Sequence, residues 1–331
     1  MTDSRPLIAT MIGDPCGIGP EVIAKAWASG EAHRYSRPVL IGSAPVMEQA
    51  VKFAGLNLPV RTIASVDQIS DSPDVIEIID SGKLDINDIT LGVDNAICGK
   101  VCAEWLGEAD KLARSGAVAG TIMGPISSVA MKMAGVLDQV INIQPGISYL
   151  FLVSGPLRVM HLTDHIPLRQ VCDLIKSDLV FSALQTMDAR LREWGLKNPR
   201  IGVSGFNAHA YGEEDEREIA PGVELAKQAG INVTGPIAPD SIFRQCIEGK
   251  YDAVLAMFHD QGHIAIKTWG FVGNCALIVG PPYLHMSVAH GTAFDIVGKG
   301  IANHEMMQSA MMLTGSLAAG KGFINTEKTA G

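Results

Sequence analysis

The sequence predicts an α/β protein built on a mostly parallel sheet with helices on both faces, a three-layer α/β/α arrangement. Three observations carry that prediction. Short continuous apolar runs recur along the chain, as in strands buried on both faces. Amphipathic stretches of helical period separate them. The 331 residues are 47% hydrophobic, enough to bury a sizeable core in one large or two medium domains.

Residues 7–12 read as a buried strand that runs through a Gly-rich turn into a helix over about 20–29. Residues 39–41 form a second strand, followed by a helix near 45–54. A long helix spans 94–115 and leads to a strand at 118–123. Further strands fall at 157–161, 201–206, 253–258 and 276–279, and further helices near 177–194, 221–229 and 303–318. No internal repeat, low-complexity tract or long linker interrupts this series.

No apolar run approaches the ~20 residues of a membrane helix. The N-terminus lacks the pattern of a signal peptide, so the cytoplasm is the expected compartment. The formal net charge of −9 argues against nucleic acid as a partner but leaves room for a local basic pocket. Six scattered cysteines, Cys16, Cys98, Cys102, Cys172, Cys246 and Cys275, form no CxxC and read as small buried hydrophobes. A cytosolic setting disfavours structural disulfides.

The histidines are the most informative feature. The strand at 157–161 leads to His161 and His165, the strand at 201–206 to His209, and the strand at 253–258 to His259. Ligands of open α/β sheets bind beyond the carboxyl ends of the strands, so three strands push an imidazole toward one edge. Neutral imidazole suits zinc and related ions, and three protein ligands leave a position open for catalysis. Lone histidines at strand ends without any metal are the competing reading. Helical pairing of His161 with His165 is disfavoured by Pro167, and Gly262 argues against a helix holding His259 and His263 together.

His290, Gly291, Thr292 and Asp295 follow a strand and open a helical pattern. That order suits a backbone cradle for an anionic cofactor, or an ordinary strand-to-helix loop. The turn Gly13-Asp14-Pro15-Cys16-Gly17-Ile18-Gly19-Pro20-Glu21 is neither a dinucleotide fingerprint nor a P-loop. Pro20 suits a helix start, Glu21 would repel a pyrophosphate, and Asp14 is left with a substrate-facing role. The acidic run at 213–218 reads as a solvated loop.

Together these motifs resemble the 4-hydroxythreonine-4-phosphate dehydrogenase (PdxA) family over nearly the whole chain. The resemblance is carried by the turn at 13–21, His165-Ile166-Pro167-Leu168-Arg169, Asn207-Ala208-His209-Ala210, residues 235–240, His259-Asp260-Gln261-Gly262-His263 with Lys267, and residues 290–295. It implies a fold related to isocitrate and isopropylmalate dehydrogenases, with two discontinuous subdomains, the termini packed together and an active-site cleft between the subdomains. It further implies a homodimer with shared active sites, NAD or NADP as cofactor, and one divalent metal, zinc before magnesium, manganese, cobalt or iron. The metal ligands would be His165, His209 and His259, the last from the partner subunit. Lys267 and Asp240 would contact the substrate and move the proton. The reaction implied is oxidation of a β-hydroxy acid followed by loss of carbon dioxide.

The departures from the family pattern fall on the substrate grip. A histidine and a glutamate of the family become Ile147 and Tyr149, flanking Ser148. A lysine becomes Ser128, an asparagine becomes Ala276, and an arginine becomes His285, which lacks the permanent charge and bidentate fork. These changes predict a non-phosphorylated substrate of aromatic catabolism, such as a cis-dihydrodiol carboxylate resembling that of the terephthalate dihydrodiol dehydrogenase branch. The alternatives are 4-hydroxythreonine 4-phosphate itself or a sugar-acid phosphate such as threonate 4-phosphate. More remote are a metal-dependent lyase that uses no NAD and a metal-binding protein without redox activity.

Overall fold

The computed structural model describes residues 4–139, 143–270 and 274–324. Its strands, in chain order, are β1 (Leu7–Met11), β2 (Arg37–Ile41), β3 (Val60–Ile63), β4 (Ile76–Ile79), β5 (Gly120–Met123), β6 (Tyr149–Ser154), β7 (Leu157–His161), β8 (Ile201–Ser204), β9 (Val233–Ile237), β10 (Ala253–Ala256), β11 (Cys275–Val279) and β12 (Leu284–Val288). Its helices are α1 (Gly19–Ala28), α2 (Ala44–Phe53), α3 (Ala96–Arg114), α4 (Ser128–Met133), α5 (Leu168–Leu174), α6 (Ser177–Glu193), α7 (Ala220–Gln228), α8 (Pro239–Ile247), α9 (His259–Trp269) and α10 (Glu305–Ala318). The chain divides into two compact units, Met1–Asn142 with Pro282–Ala319, and Ile143–Pro281 with Gly320–Gly331. The expected packing of the termini concerns residues 1–3 and 325–331, which lie outside the described residues.

The first unit carries strands in the order β3-β4-β2-β1-β5-β12, and every pair is parallel. The α/β class predicted from the apolar runs is the class observed. Four of five residues in β1 and in β2 are buried, as parallel strands covered on both faces require. Trp27 of α1 and Trp105 of α3 are among its largest fully buried side chains. Asn95 caps α3 by accepting from the Ile97 amide at 2.7 Å. In α1, Pro20 stands in the first turn, and Glu21 is buried in an ion pair with Lys25 and accepts from the Ala302 amide.

The second unit has the order β11-β6-β7-β10-β8-β9. β6 runs antiparallel to both of its neighbours, β11 and β7, and β7, β10, β8 and β9 run parallel. Its core packs Leu150 and Leu152 of β6, Val159 of β7, Val254 of β10, Ile242 of α8 and Ile266 of α9. Phe323 stacks on Phe151 with ring centroids 6.3 Å apart, beneath the Arg158 guanidinium.

Two readings are corrected here. Residues 259–263 are helical, because α9 begins at His259 and runs through Gly262. A Cβ at Gly262 would lie 2.2 Å from His161 Nε2, so the glycine marks a close helix-to-strand approach and not a break. The acidic run at 213–218 is also not a solvated loop throughout. Asp215–Ile219 forms a π-helical turn leading into α7, and Asp215 is buried. Among the described residues, no helix is long and apolar enough to cross a membrane.

Candidate functional site

In the second unit, the carboxyl ends of the parallel strands present the polar groups, as expected for this sheet type. β7 ends at His161 and is followed by Asp164 and His165, while β10 leads into His259 at the start of α9. One ligand atom from each of Asp164, His165 and His259 lies within 4.8 Å of the other two. These residues line a cavity of about 150 Å³ together with Ile166, Leu168, Val171, Phe258 and Asp260. Asp164 is 3% exposed, and neither of its oxygens has a hydrogen-bond partner. Its nearest cationic candidate is His165 Nδ1, 3.7 Å away. Burial pushes the Asp164 carboxyl up, opposed by His165 and His259. A desolvated carboxylate without hydrogen bonds is costly, and a cation between it and the two imidazoles removes that cost. The donor set is one that a divalent transition ion accepts.

The surrounding imidazoles have defined tautomers. His161 Nδ1 sits 3.1 Å from the Leu150 carbonyl and His263 Nδ1 sits 3.1 Å from the His259 carbonyl. A carbonyl only accepts, so both Nδ1 atoms carry the proton and both Nε2 atoms the lone pair. Burial holds His161 down at about 3 and His263 down at about 4, so both are neutral near pH 7. The His259 ring stacks on His263 with centroids 3.6 Å apart and lies 5.0 Å from the His165 ring. His259 Nδ1 is paired with the Asp260 carboxylate at 2.7 Å, which leaves its Nε2 for coordination. His165 and His259 thus lie close together within one chain.

His209 stands outside this group. It lies in the short turn Ala208–Ala210 at φ 58°, and its side chain is exposed. What positions this turn is Asp215, which sequence reasoning missed. Its carboxylate accepts from the Phe206 amide at 2.7 Å, the Asn207 amide at 3.1 Å and the Asn207 side chain at 2.9 Å. Gln261 of α9 accepts from the Met257 amide and donates to the Gly205 carbonyl. It therefore ties the start of α9 to the ends of β8 and β10.

Lys267 is exposed on α9, eight residues beyond His259 and four beyond His263, a spacing that places all three on one helix stripe. Asp240 is exposed in the first turn of α8. Ile147 is 69% exposed. Ser148 is buried, and its hydroxyl accepts from the Gln144 amide. Ala276 is packed into the apolar cluster of the second unit. Tyr149 is buried at the start of β6 and Ser128 is the first residue of α4.

The first unit holds the other predicted residues. His285 of β12 pairs in register with Thr121 of β5, and its Nδ1 lies 2.6 Å from the Thr121 hydroxyl. It is buried, its Nε2 has no partner, and burial pulls it down to about 4. It is therefore neutral and does not replace the charge of an arginine. His285 lines a cavity of about 340 Å³ with Asp110, Arg114, Thr121 and Tyr283. The Tyr283 hydroxyl donates to Asp110 at 2.7 Å, and Arg114 bonds the same carboxylate. Asp14 is buried and accepts from the Cys16 amide at 2.8 Å. Burial, with the negative Asp94 nearby, pushes its carboxyl up to about 6.

His290, Gly291, Thr292 and Asp295 lie in turns between β12 and α10. The helical pattern expected after His290 does not form: Ala293, Gly298 and Gly300 have positive φ. The His290 Nδ1 donates to its neighbour's carbonyl, that of Gly291. The Thr292 carbonyl accepts from the Ile18 amide.

Comparison with known proteins adds a lineage to this geometry. The sequence profile of the family described as Pyridoxal phosphate biosynthetic protein PdxA matches residues 34–314. A protein of Novosphingobium aromaticivorans, provisionally named a 4-hydroxythreonine-4-phosphate dehydrogenase, is 56% identical over 319 residues, 96% of this chain and 97% of that one. A protein of Symbiobacterium thermophilum, provisionally named a D-threonate 4-phosphate dehydrogenase, is 35% identical over 330 residues, 96% of this chain and 98% of that one. Among solved structures, 4-hydroxythreonine-4-phosphate dehydrogenase from Klebsiella pneumoniae superposes with TM-score 0.84 at 35% identity, covering 95% of this chain and 99% of that one. Terephthalate 1,2-cis-dihydrodiol dehydrogenase from Burkholderia xenovorans gives TM-score 0.68 at 28% identity, covering 94% and 98%.

Proposed function

The chain belongs to the PdxA family of dehydrogenases, and from that premise we propose that it oxidises the secondary alcohol of a phosphorylated hydroxy acid. The substrate class follows the names of the nearer relatives, 4-hydroxythreonine 4-phosphate and D-threonate 4-phosphate. It replaces the dihydrodiol carboxylate suggested by the altered grip residues, since the dihydrodiol enzyme is more distant in both sequence and structure. His285, neutral and buried, contributes no charge toward a phosphate; Lys267 is the cation the family pattern offers.

The observation that carries the chemistry is the Asp164–His165–His259 group around an unpartnered buried carboxylate. His165 and His259 would hold a divalent ion, with Asp164 behind them and His209 as the third imidazole of the family pattern. Such an ion supplies positive charge that lowers the pKa of the substrate hydroxyl, and NAD or NADP supplies the hydride acceptor. Lys267 binds an anionic group of the substrate, and Asp240 or Lys267 takes the hydroxyl proton. The His290–Asp295 loop is the proposed cofactor contact, and Asp14, Ile147, Ser148, Ala276 and His285 the proposed substrate surroundings. A β-keto acid formed in this way loses carbon dioxide readily. The enzyme is proposed to act as a homodimer, supported by the exposed apolar side chains Leu168, Ile264 and Tyr211 on the second unit.

The test is a panel of 4-hydroxythreonine 4-phosphate, D-threonate 4-phosphate and a cis-dihydrodiol carboxylate, assayed with NAD and NADP and each divalent metal. Reduced cofactor should form with a phosphorylated acid and not with the dihydrodiol; the reverse result refutes the substrate class. Metal analysis should show loss of the ion in His165→Ala and His209→Ala. Retention in His209→Ala alone would assign the third ligand to Asp164.

A further inference from the structure

The turn between β1 and α1 brings a cysteine against the first turn of α3. Cys16 Sγ and Cys98 Sγ are 3.2 Å apart, closer than the ~3.5–4.0 Å at which even the smaller carbon atoms rest in contact. A disulfide bond measures about 2.05 Å, so side-chain movements totalling roughly 1 Å close the gap. Two ordinary core cysteines need no such approach. The Asp14 carboxylate joins the pair: one of its oxygens and the two sulfurs lie within 4.8 Å of one another. Cys102, one helical turn beyond Cys98, turns its thiol to the Gly13 carbonyl instead.

The location gives the pair a lever. The Cys16 carbonyl accepts from the Gly92 amide, and two residues on, the Ile18 amide donates to the Thr292 carbonyl. Gly17 lies so close to Thr292 that an added Cβ would meet the threonine side chain at 2.9 Å. Through Gly17 and Ile18, the segment that carries Cys16 is thus in direct contact with Thr292 of the His290–Asp295 loop. The residues on either side of Cys16, Pro15 and Gly17, line a small cavity that also touches Leu91 and Val297.

We propose that Cys16 and Cys98 form a redox-active thiol pair that hydrogen peroxide converts to a disulfide, reversibly altering the His290–Asp295 loop and with it the enzyme's activity. The Cys16 sulfur attacks one peroxide oxygen, the O–O bond breaks, and the oxygen that departs leaves as water. Cys16 is then a sulfenic acid. The Cys98 sulfur attacks the Cys16 sulfur, the S–O bond breaks, and a second water departs with the remaining thiol proton. Two thiols are oxidised by two electrons in total and one hydrogen peroxide is reduced to two waters. A hydrogen bond from the Cys98 thiol favours the thiolate at Cys16, while burial and the nearby Asp14 charge work against it. A thiol reductant reverses the reaction.

The effect on activity rests on the dehydrogenase reading above; bond formation does not, so the two are measured separately. The full-length chain in a Cys172→Ser background, which removes the partly exposed thiol, is treated with hydrogen peroxide, blocked with a maleimide and analysed by intact mass and peptide mapping. The expected result is loss of two hydrogens and a linked peptide joining Cys16 to Cys98, both reversed by dithiothreitol. In Cys98→Ser or Cys98→Ala, dimedone should trap a sulfenic acid at Cys16. Absence of the linked peptide in folded, peroxide-treated protein overturns the proposal. On oxidation, turnover should fall about tenfold, within the range of coupling between sites in one protein, and should recover on reduction. A linked enzyme with unchanged turnover overturns the regulatory role while leaving the thiol chemistry standing.

Discussion

Replacing Gly262 by alanine tests how α9 is held against β7. In an ordinary helix interior this change stabilises by about 1 kcal/mol, because alanine is the better helix former. Here the new Cβ would lie 2.2 Å from His161 Nε2 and 2.8 Å from a Val159 methyl. His161 cannot swing away easily, since its Nδ1 is bonded to the Leu150 carbonyl and its ring is 1% exposed. The backbone of α9 must move instead, at a cost near the upper end of the ~1–3 kcal/mol of overpacking. Setting the helix gain against that cost leaves a net loss of roughly 2 kcal/mol. For a unit of this size, that corresponds to a Tm lower by about 4–8 °C. The displaced helix carries His259, so metal affinity should fall as well. Thermal unfolding and metal titration of the variant measure both effects. A Tm equal to or above that of the parent, with unchanged metal affinity, would refute the account of Gly262 as a close-approach residue.

Two other outcomes follow from buried polar groups. Folded His285 stays neutral down to about 4, whereas the unfolded residue takes up a proton below about 6.5. The unfolded chain therefore binds more protons in that window, and stability falls as the pH drops from 6.5 toward 4. His285→Gln should remove on the order of 3 kcal/mol of that acid-side loss, read from urea midpoints across the range; an identical pH profile would count against a buried neutral imidazole. Asp215→Asn sets an amide nitrogen against donors and weakens charge-assisted bonds of ~1.5–3 kcal/mol each. Hydrogen exchange at the Phe206 and Asn207 amides should accelerate markedly while the β1 and β2 amides remain protected, and unchanged exchange at those two amides would remove Asp215 from its positioning role.

Much of the site was legible because its signals are local in the chain. Apolar runs ending in His161 and leading to His165 and His259 mark strand ends, and strand ends in a parallel sheet share an edge. Pro20 marked the start of α1 because proline suits a first turn. Gly262 was misread because a glycine's local meaning is ambiguous: the propensity that disfavours it in a helix is overridden when another side chain occupies the space of its Cβ. Asp215 was hidden inside a charged run, where only burial distinguishes a carboxylate that organises a turn from neighbours that face water. The missing helix after His290 reflects positive φ at Ala293, a residue type that gives no warning of it.

What the chain alone determined was the α/β class and the family, because these rest on periodicity and on motifs read within a few residues of one another. What only the tertiary structure decided was which groups meet. It set Asp164 beside His165 and His259, left His209 on a separate turn, enclosed His285 as a neutral imidazole and brought Cys16 against Cys98. Each of these depends on desolvation or on contact between residues far apart in sequence, and those are properties of the packed chain.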